Sequence, residues 1–149
     1  MCPLSELPRL LVVDASILFS FFKGEAARRK LTDKLLAQGC KLVSPDFALE
    51  ELLSDREKVM KYAGIDELGF VFLLSLLTKK IETVDKHEYE GSLQLARGLS
   101  PHPEDDPYFA LALSLNSAIW SDEKAFTEQS TVKVYPTREL LKLLSEAKP

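Results

Sequence analysis

Cysteine is scarce in this chain: its 149 residues hold only Cys2 and Cys40, without the spacing of metal ligands. That scarcity excludes a disulfide framework and suits reduced thiols in the cytoplasm. Long apolar runs are also missing. The N-terminus has no basic stretch leading into a long hydrophobic one, and FVFLLSLL at 70–77 is too short to span a bilayer. The chain therefore reads as soluble and unexported, with no membrane partner. Nor is positive charge in excess, since 19 Lys and Arg face 23 Asp and Glu for a formal net charge of -4. A protein that coats nucleic acid through bulk charge is excluded, and such contact falls to a local rim such as Arg28, Arg29 and Lys30. Repeats, low-complexity tracts and long Pro, Gly or Ser linkers are absent, and the Pro-rich SPHPEDDP at 100–107 reads as an internal loop. What remains is one domain over 1–149, large enough to bury a substantial core without staples.

Within it, short apolar runs containing β-branched residues alternate with segments of helical spacing. RLLVV, CKLVS, KIETV, SAIWS and TVKVYP predict strands. Helices are predicted over 15–23, 25–38, 46–60, 66–79, 86–98, 107–116 and 137–146, with Pro107 suited to a first helical position. This alternation predicts an α/β fold, a mostly parallel sheet covered by helices. In such a sheet, ligands bind in the crevice beyond the carboxyl ends of the strands.

Acids gather at that edge. LLVVDASIL ends a strand in Asp14; SPDFALEELL carries Glu50 and Glu51 on the helix after the second strand; PEDDPYFALAL sets Asp105 and Asp106 before an apolar helix; IWSDEKAF ends a strand in Ser121, Asp122 and Glu123. Each has an ordinary explanation. Asp14, Asp46 and Asp106 are well placed to cap helices, and Glu50, Glu51 and the SDEK turn suit a solvated surface. Convergence of several carboxylates with only Lys124 in the same segments to oppose them is costly unless a cation binds, because like charges raise one another's pKa. Oxygen ligands without His or Cys point to Mg²⁺ or Mn²⁺ and away from Zn²⁺.

The order VVDASIL, SPDFALEELL, DDPYFALAL, IWSDEKAF resembles the PIN-domain family of metal-dependent ribonucleases, which includes the VapC-like toxins of toxin–antitoxin pairs. The resemblance covers about residues 9–145. It implies a three-layer α/β/α sandwich, a cluster of acids holding Mg²⁺ or Mn²⁺, an RNA substrate, an antitoxin partner and a homodimer. Asp14 matches the first acid of the family and Asp106 the acid that opens the ALAL helix, with Asp105 as an additional or supporting acid. Glu50 and Glu51 point about 100° apart on a helix. Glu51 is the preferred match, being followed by the family's LL and lying nearer the apolar stripe of Phe47, Ala48 and Leu52. In the fourth motif Glu123 stands where the family commonly has Asp, and Asp122 where Asn is frequent, so either is a candidate ligand. Ser16 and Ser121 are candidates to hydrogen-bond a ligating carboxylate or a phosphate.

Other residues carry less. Lys124 is the best local candidate for a phosphate contact, Trp120 reads as core, and His87 and His102 read as surface residues, since the metal chemistry needs no histidine base. Two further classes share an acid after the first strand. One is a PIN-like scaffold that binds RNA or protein without cleaving; the other is a receiver or Asp-nucleophile phosphatase. The second is disfavoured because DASIL lacks another Asp two residues on and Asp85 is a poor phosphoacceptor.

Overall fold

Strand β1, Leu10–Val13, ends directly at Asp14. In the computed structural model, which describes residues 6–23 and 26–147, Leu11, Val12 and Val13 are fully buried, as in a strand covered on both faces. Cys2 and Glu25, the first residue of the helix predicted at 25–38, lie outside the described residues. The remaining strands are β2 Lys41–Pro45, β3 Glu82–Val84, β4 Ala118–Trp120 and β5 Val134–Tyr135. All pairs are parallel, in the order β3-β2-β1-β4-β5. Val12 lies beside Val43 on one side and Ile119 on the other.

That order creates a switch point. The chain steps outward from β1 to β2 and β3, then returns across the sheet to β4 and β5. Right-handed crossovers consequently put the early helices on one face and the later ones on the other. The early set is α1 Ala15–Phe22, α2 Ala26–Ala37, α3 Asp46–Ser54, α4 Arg56–Ala63 and α5 Glu67–Lys80; the later set is α6 Leu93–Arg97 and α7 Asp106–Leu115. α8, Thr137–Ala147, packs back against α2. The result is the three-layer α/β/α sandwich. Phe22 stacks on Phe70 at 5.2 Å in one layer and Phe109 meets Phe126 at 4.9 Å in another. Trp120 is fully buried, as its apolar setting predicts, and its Nε1 donates to Thr137 Oγ1 at 3.0 Å.

Two predicted helices differ. The segment 46–60 breaks at Asp55, whose φ of -99° and ψ of 18° separate α3 from α4; α4 then stops at Gly64 in the left-handed region, φ 68°. The segment 86–98 is not one helix. It forms two 3₁₀ turns, Lys86–Glu88 and Glu90–Ser92, before the short α6. There the Asp85 side chain takes the His87 N–H and the Tyr89 hydroxyl reaches Asp46, so local polar bonds and Gly91 outweigh the helical spacing. α7 starts at Asp106, one residue early, with Pro107 inside its first turn where a missing N–H costs nothing. Among the described residues no helix is long and apolar enough to cross a membrane. Cys40 is a free, buried thiol that donates to the Pro8 carbonyl.

Candidate functional site

The switch point lies between β1 and β4, and it is there that Asp14 and Ser121 leave adjacent strands. The Asp14 N–H donates to the Trp120 carbonyl at 3.1 Å, which extends the ladder to the base of the site. Asp14 is 3% exposed, and its side chain makes no cap bond to α1. Both neighbouring serines serve it instead: Ser16 Oγ donates to Oδ2 at 2.7 Å and Ser121 Oγ donates to the same oxygen at 2.8 Å. Ser121 Oγ in turn accepts the Glu123 N–H at 3.0 Å, tying the fourth motif to the first. Burial raises the Asp14 carboxyl above its ordinary pKa against the two serine bonds, and the charge of Glu123 raises it further.

Asp105 faces the same cluster. Burial, then the charge of Asp14, push its pKa up to about 6; Glu123 and Glu104 add to the rise, and His102 opposes it. Glu51 is also raised, first by burial and then by Glu104, Asp55 and Asp105, while the Tyr108 hydroxyl, donating to Oε1 at 3.3 Å, lowers it. Glu50 is exposed on the neighbouring face of α3, so the helix brings Glu51 and not Glu50 toward this group. Tyr108 was not singled out by the sequence. Its signal was a phenol three residues after Asp105 in an otherwise apolar helix, the spacing that puts both on one side of α7. Burial and the charges of Glu51 and Asp14 hold that phenol protonated.

Three expectations need correction. None of Asp14, Asp46 and Asp106 caps a helix through its side chain. Asp46 is the first residue of α3, and its oxygens accept the Tyr89 hydroxyl at 2.7 Å and the Lys86 N–H at 3.2 Å. Asp106 is buried with Oδ1 bonded to the Ser100 hydroxyl and Oδ2 paired with Arg97 at 3.2 Å, so both carboxylate oxygens already have protein partners. Asp105, the additional acid of the same motif, has its pKa raised by burial and then by the charge of Asp14.

Asp122 is likewise committed. Its Oδ1 accepts the Thr137 N–H at 2.7 Å, and its Oδ2 accepts the Thr137 hydroxyl at 2.6 Å and Arg28 at 3.0 Å. Burial raises its pKa, but Thr137 and Arg28 outweigh it and the net shift is downward. Asp122 thus satisfies an orphan donor at the start of α8 and joins it to α2. Asp122→Ala is expected to cost about 1 kcal/mol, the usual worth of such a cap. The stabilisation of the wild type is present above the ordinary value of 3.8 and is lost as pH falls through the lower folded value. Urea unfolding at neutral and acid pH checks both; an Ala variant as stable as wild type at neutral pH counts against the cap. Lys124 is exposed, and His87 is an exposed partner of Asp85.

Asp14, Glu51, Asp105 and Glu123 are all-oxygen donors, and burial together with neighbouring acids disfavours the charge of the first three, which is the chemistry of a hard-cation site. Among the described residues no three His, Cys, Asp or Glu side chains stand close enough to hold an ion by themselves. Mg²⁺ usually keeps several waters and binds through one or two carboxylates, so an open acidic edge around the buried Asp14 fits a hydrated ion.

Comparison with curated proteins finds no match. Among solved structures, a chain of the VapBC2 complex of Rickettsia felis, bound to a DNA fragment from its promoter, has a TM-score of 0.63 at 16% identity. The similarity covers 85% of this chain and 98% of that one. At that identity the likeness is one of fold. The family model described as PIN domain matches residues 12–145, spanning all four acidic motifs, and the chain belongs to the PIN-domain family.

Proposed function

We propose that this protein is a divalent-metal-dependent ribonuclease, a single domain over 1–149 that hydrolyses RNA phosphodiester bonds with Mg²⁺ or Mn²⁺ as cofactor. The observation that carries this reading is Asp14. A buried carboxylate at the switch point, oriented by two hydroxyls and facing other acids, is costly to the fold unless a cation repays it. Such a cation supplies Lewis acidity toward a phosphodiester and its attacking water. The chain's own residues supply the rest. Ser16 and Ser121 fix the Asp14 carboxylate, Tyr108 holds Glu51, and the Ser121 hydroxyl anchors the backbone of Glu123. Asp105 completes the acidic rim.

Family membership and the fold shared with a chain of a VapBC complex support action as the toxin of a toxin–antitoxin pair in the cytoplasm, with an antitoxin protein as partner. A homodimer is part of the same reading, with Leu68, Val71 and Phe72 on α5 as an exposed apolar face.

The second reading is the non-cleaving scaffold, favoured by Glu123 in place of the family's Asp and by the open spacing of the acids. One assay separates them. The purified protein is incubated with RNA containing single-stranded loops in Mg²⁺, in Mn²⁺ and in chelator. Cleavage restricted to the metal-containing reactions is expected; cleavage that persists in chelator rules out the metal mechanism, and binding without cleavage supports the scaffold.

A further inference from the structure

Beside the acids, on the outer side of α1, lies an open groove of about 440 Å³ lined by Ala15, Ser16, Phe19, Ser20 and Tyr62. It begins at the acidic site, because Ser16 is the residue whose hydroxyl donates to Asp14. Its far wall is aromatic. Phe19 and Tyr62 meet with ring centroids 5.0 Å apart at 57°, and Tyr62 is 49% exposed. The ammonium of Lys23, an exposed residue closing α1, stands 4.3 Å over the Tyr62 ring. An exposed phenol in a groove, with a cation on it and a polar entrance at Ser16, is poorly explained by packing. The arrangement supplies the two components of single-strand recognition, a stacking surface and a positive charge for the backbone.

We infer that this groove binds one unpaired nucleobase of an RNA strand, stacked on the exposed ring of Tyr62 with Phe19 against its edge, next to the phosphodiester presented to Asp14. This rests on the ribonuclease reading and adds to it a subsite, a stacking position for one unpaired base beside the acids, held without sequence readout. Lys23 leaves its ring contact for the phosphate adjoining the stacked base, since its exposed stem is free to move and an RNA phosphate offers a full opposite charge. The acids themselves repel a polyanion, and the Lys23 ammonium on the groove's aromatic wall supplies the complementary charge that a phosphate of the strand needs there.

The test compares wild type, Tyr62→Ala, Tyr62→Phe, Lys23→Gln and, as a surface control, Leu95→Ala on α6. Equilibrium binding and steady-state cleavage are measured on a short mixed-sequence single-stranded RNA and on the matching duplex, in Mg²⁺ or Mn²⁺. Tyr62→Ala is expected to weaken single-strand binding on the order of tenfold, seen as a raised KM, while Tyr62→Phe restores it because stacking needs only the ring. Lys23→Gln is expected to reduce the salt dependence of binding by roughly 0.7 in log–log slope, the share of one phosphate contact in a single strand. Leu95→Ala changes a side chain outside the groove and the duplex offers no unpaired base, so wild-type affinity in the first and weaker binding of the second are expected. Wild-type affinity in Tyr62→Ala overturns the inference, leaving the groove a face for a protein partner; a Tyr62→Phe variant as weak as Ala overturns it by assigning Tyr62 a structural role. Equal affinity for duplex and single strand also defeats it. If wild type neither binds nor cleaves RNA, the ribonuclease reading itself fails, a result distinct from cleavage that ignores Tyr62.

Discussion

Asp14→Asn is expected to abolish metal-dependent RNA cleavage, a loss on the order of 10³-fold or more, the scale on which removing a central electrostatic stabiliser acts. The same substitution is expected to raise the melting temperature of the metal-free protein. Asn preserves the size of the side chain and its oxygen still accepts from Ser16 and Ser121, while the buried charge that Glu123 opposes is gone. Added Mg²⁺ or Mn²⁺ raises the melting temperature of wild type by mass action, since the ion prefers the folded site, and leaves the variant unmoved. Opposite signs for stability and activity distinguish a binding carboxylate from a structural one. Calorimetry with and without metal, beside the cleavage assay, reads both; a variant that melts lower than wild type in chelator, or that keeps its metal response, refutes this assignment.

The main architecture was legible because its signals are local and repeated. Each of the five strands coincides with an apolar run, and the alternation with helical segments dictates a parallel sheet with crossovers. Asp14 was legible for the same reason: a charge ending a fully apolar strand has few places to go but the carboxyl edge. Glu51 was separable from Glu50 through the stripe of α3, which helical geometry alone defines. The rest depended on side-chain partners that residue spacing does not encode. Asp55 breaks a helix whose spacing continues through it, and the segment from Lys86 turns in 3₁₀ geometry because Asp85 and Tyr89 find polar partners there. Asp122 stands beside Glu123 in sequence, yet Arg28 of α2 and Thr137 of α8 claim it, and neither is near it along the chain. Asp106 is claimed by Arg97 and Ser100 from the segment just before it. Adjacent acids are alike to a motif and become different only when the fold supplies their partners.

That difference makes Asp105 and Asp106 the sharpest remaining pair. Asp105→Asn is expected to lower cleavage on the order of 10²-fold with weaker metal binding, because it removes a charge that faces Asp14. Asp106→Asn is expected to leave cleavage within a few-fold of wild type and to cost stability of about 1 kcal/mol, since it loses the pair to an exposed Arg97 but keeps an acceptor for Ser100. Their pH responses differ as well. In the folded protein Asp105 binds its proton more tightly than the unfolded chain does, with a pKa of about 6 against an ordinary 3.8. Stability from its protonated form is therefore full below the ordinary value and is lost as pH rises through about 6. Without metal, wild type should lose this increment between those two values, and Asp105→Asn should not; Asp106→Asn should follow wild type. Denaturant midpoints across that interval in chelator, together with cleavage rates in metal, assign the two carboxylates. If Asp106→Asn abolishes cleavage and Asp105→Asn spares it, the motif ranked them correctly and the ion pair with Arg97 opens when substrate and metal bind.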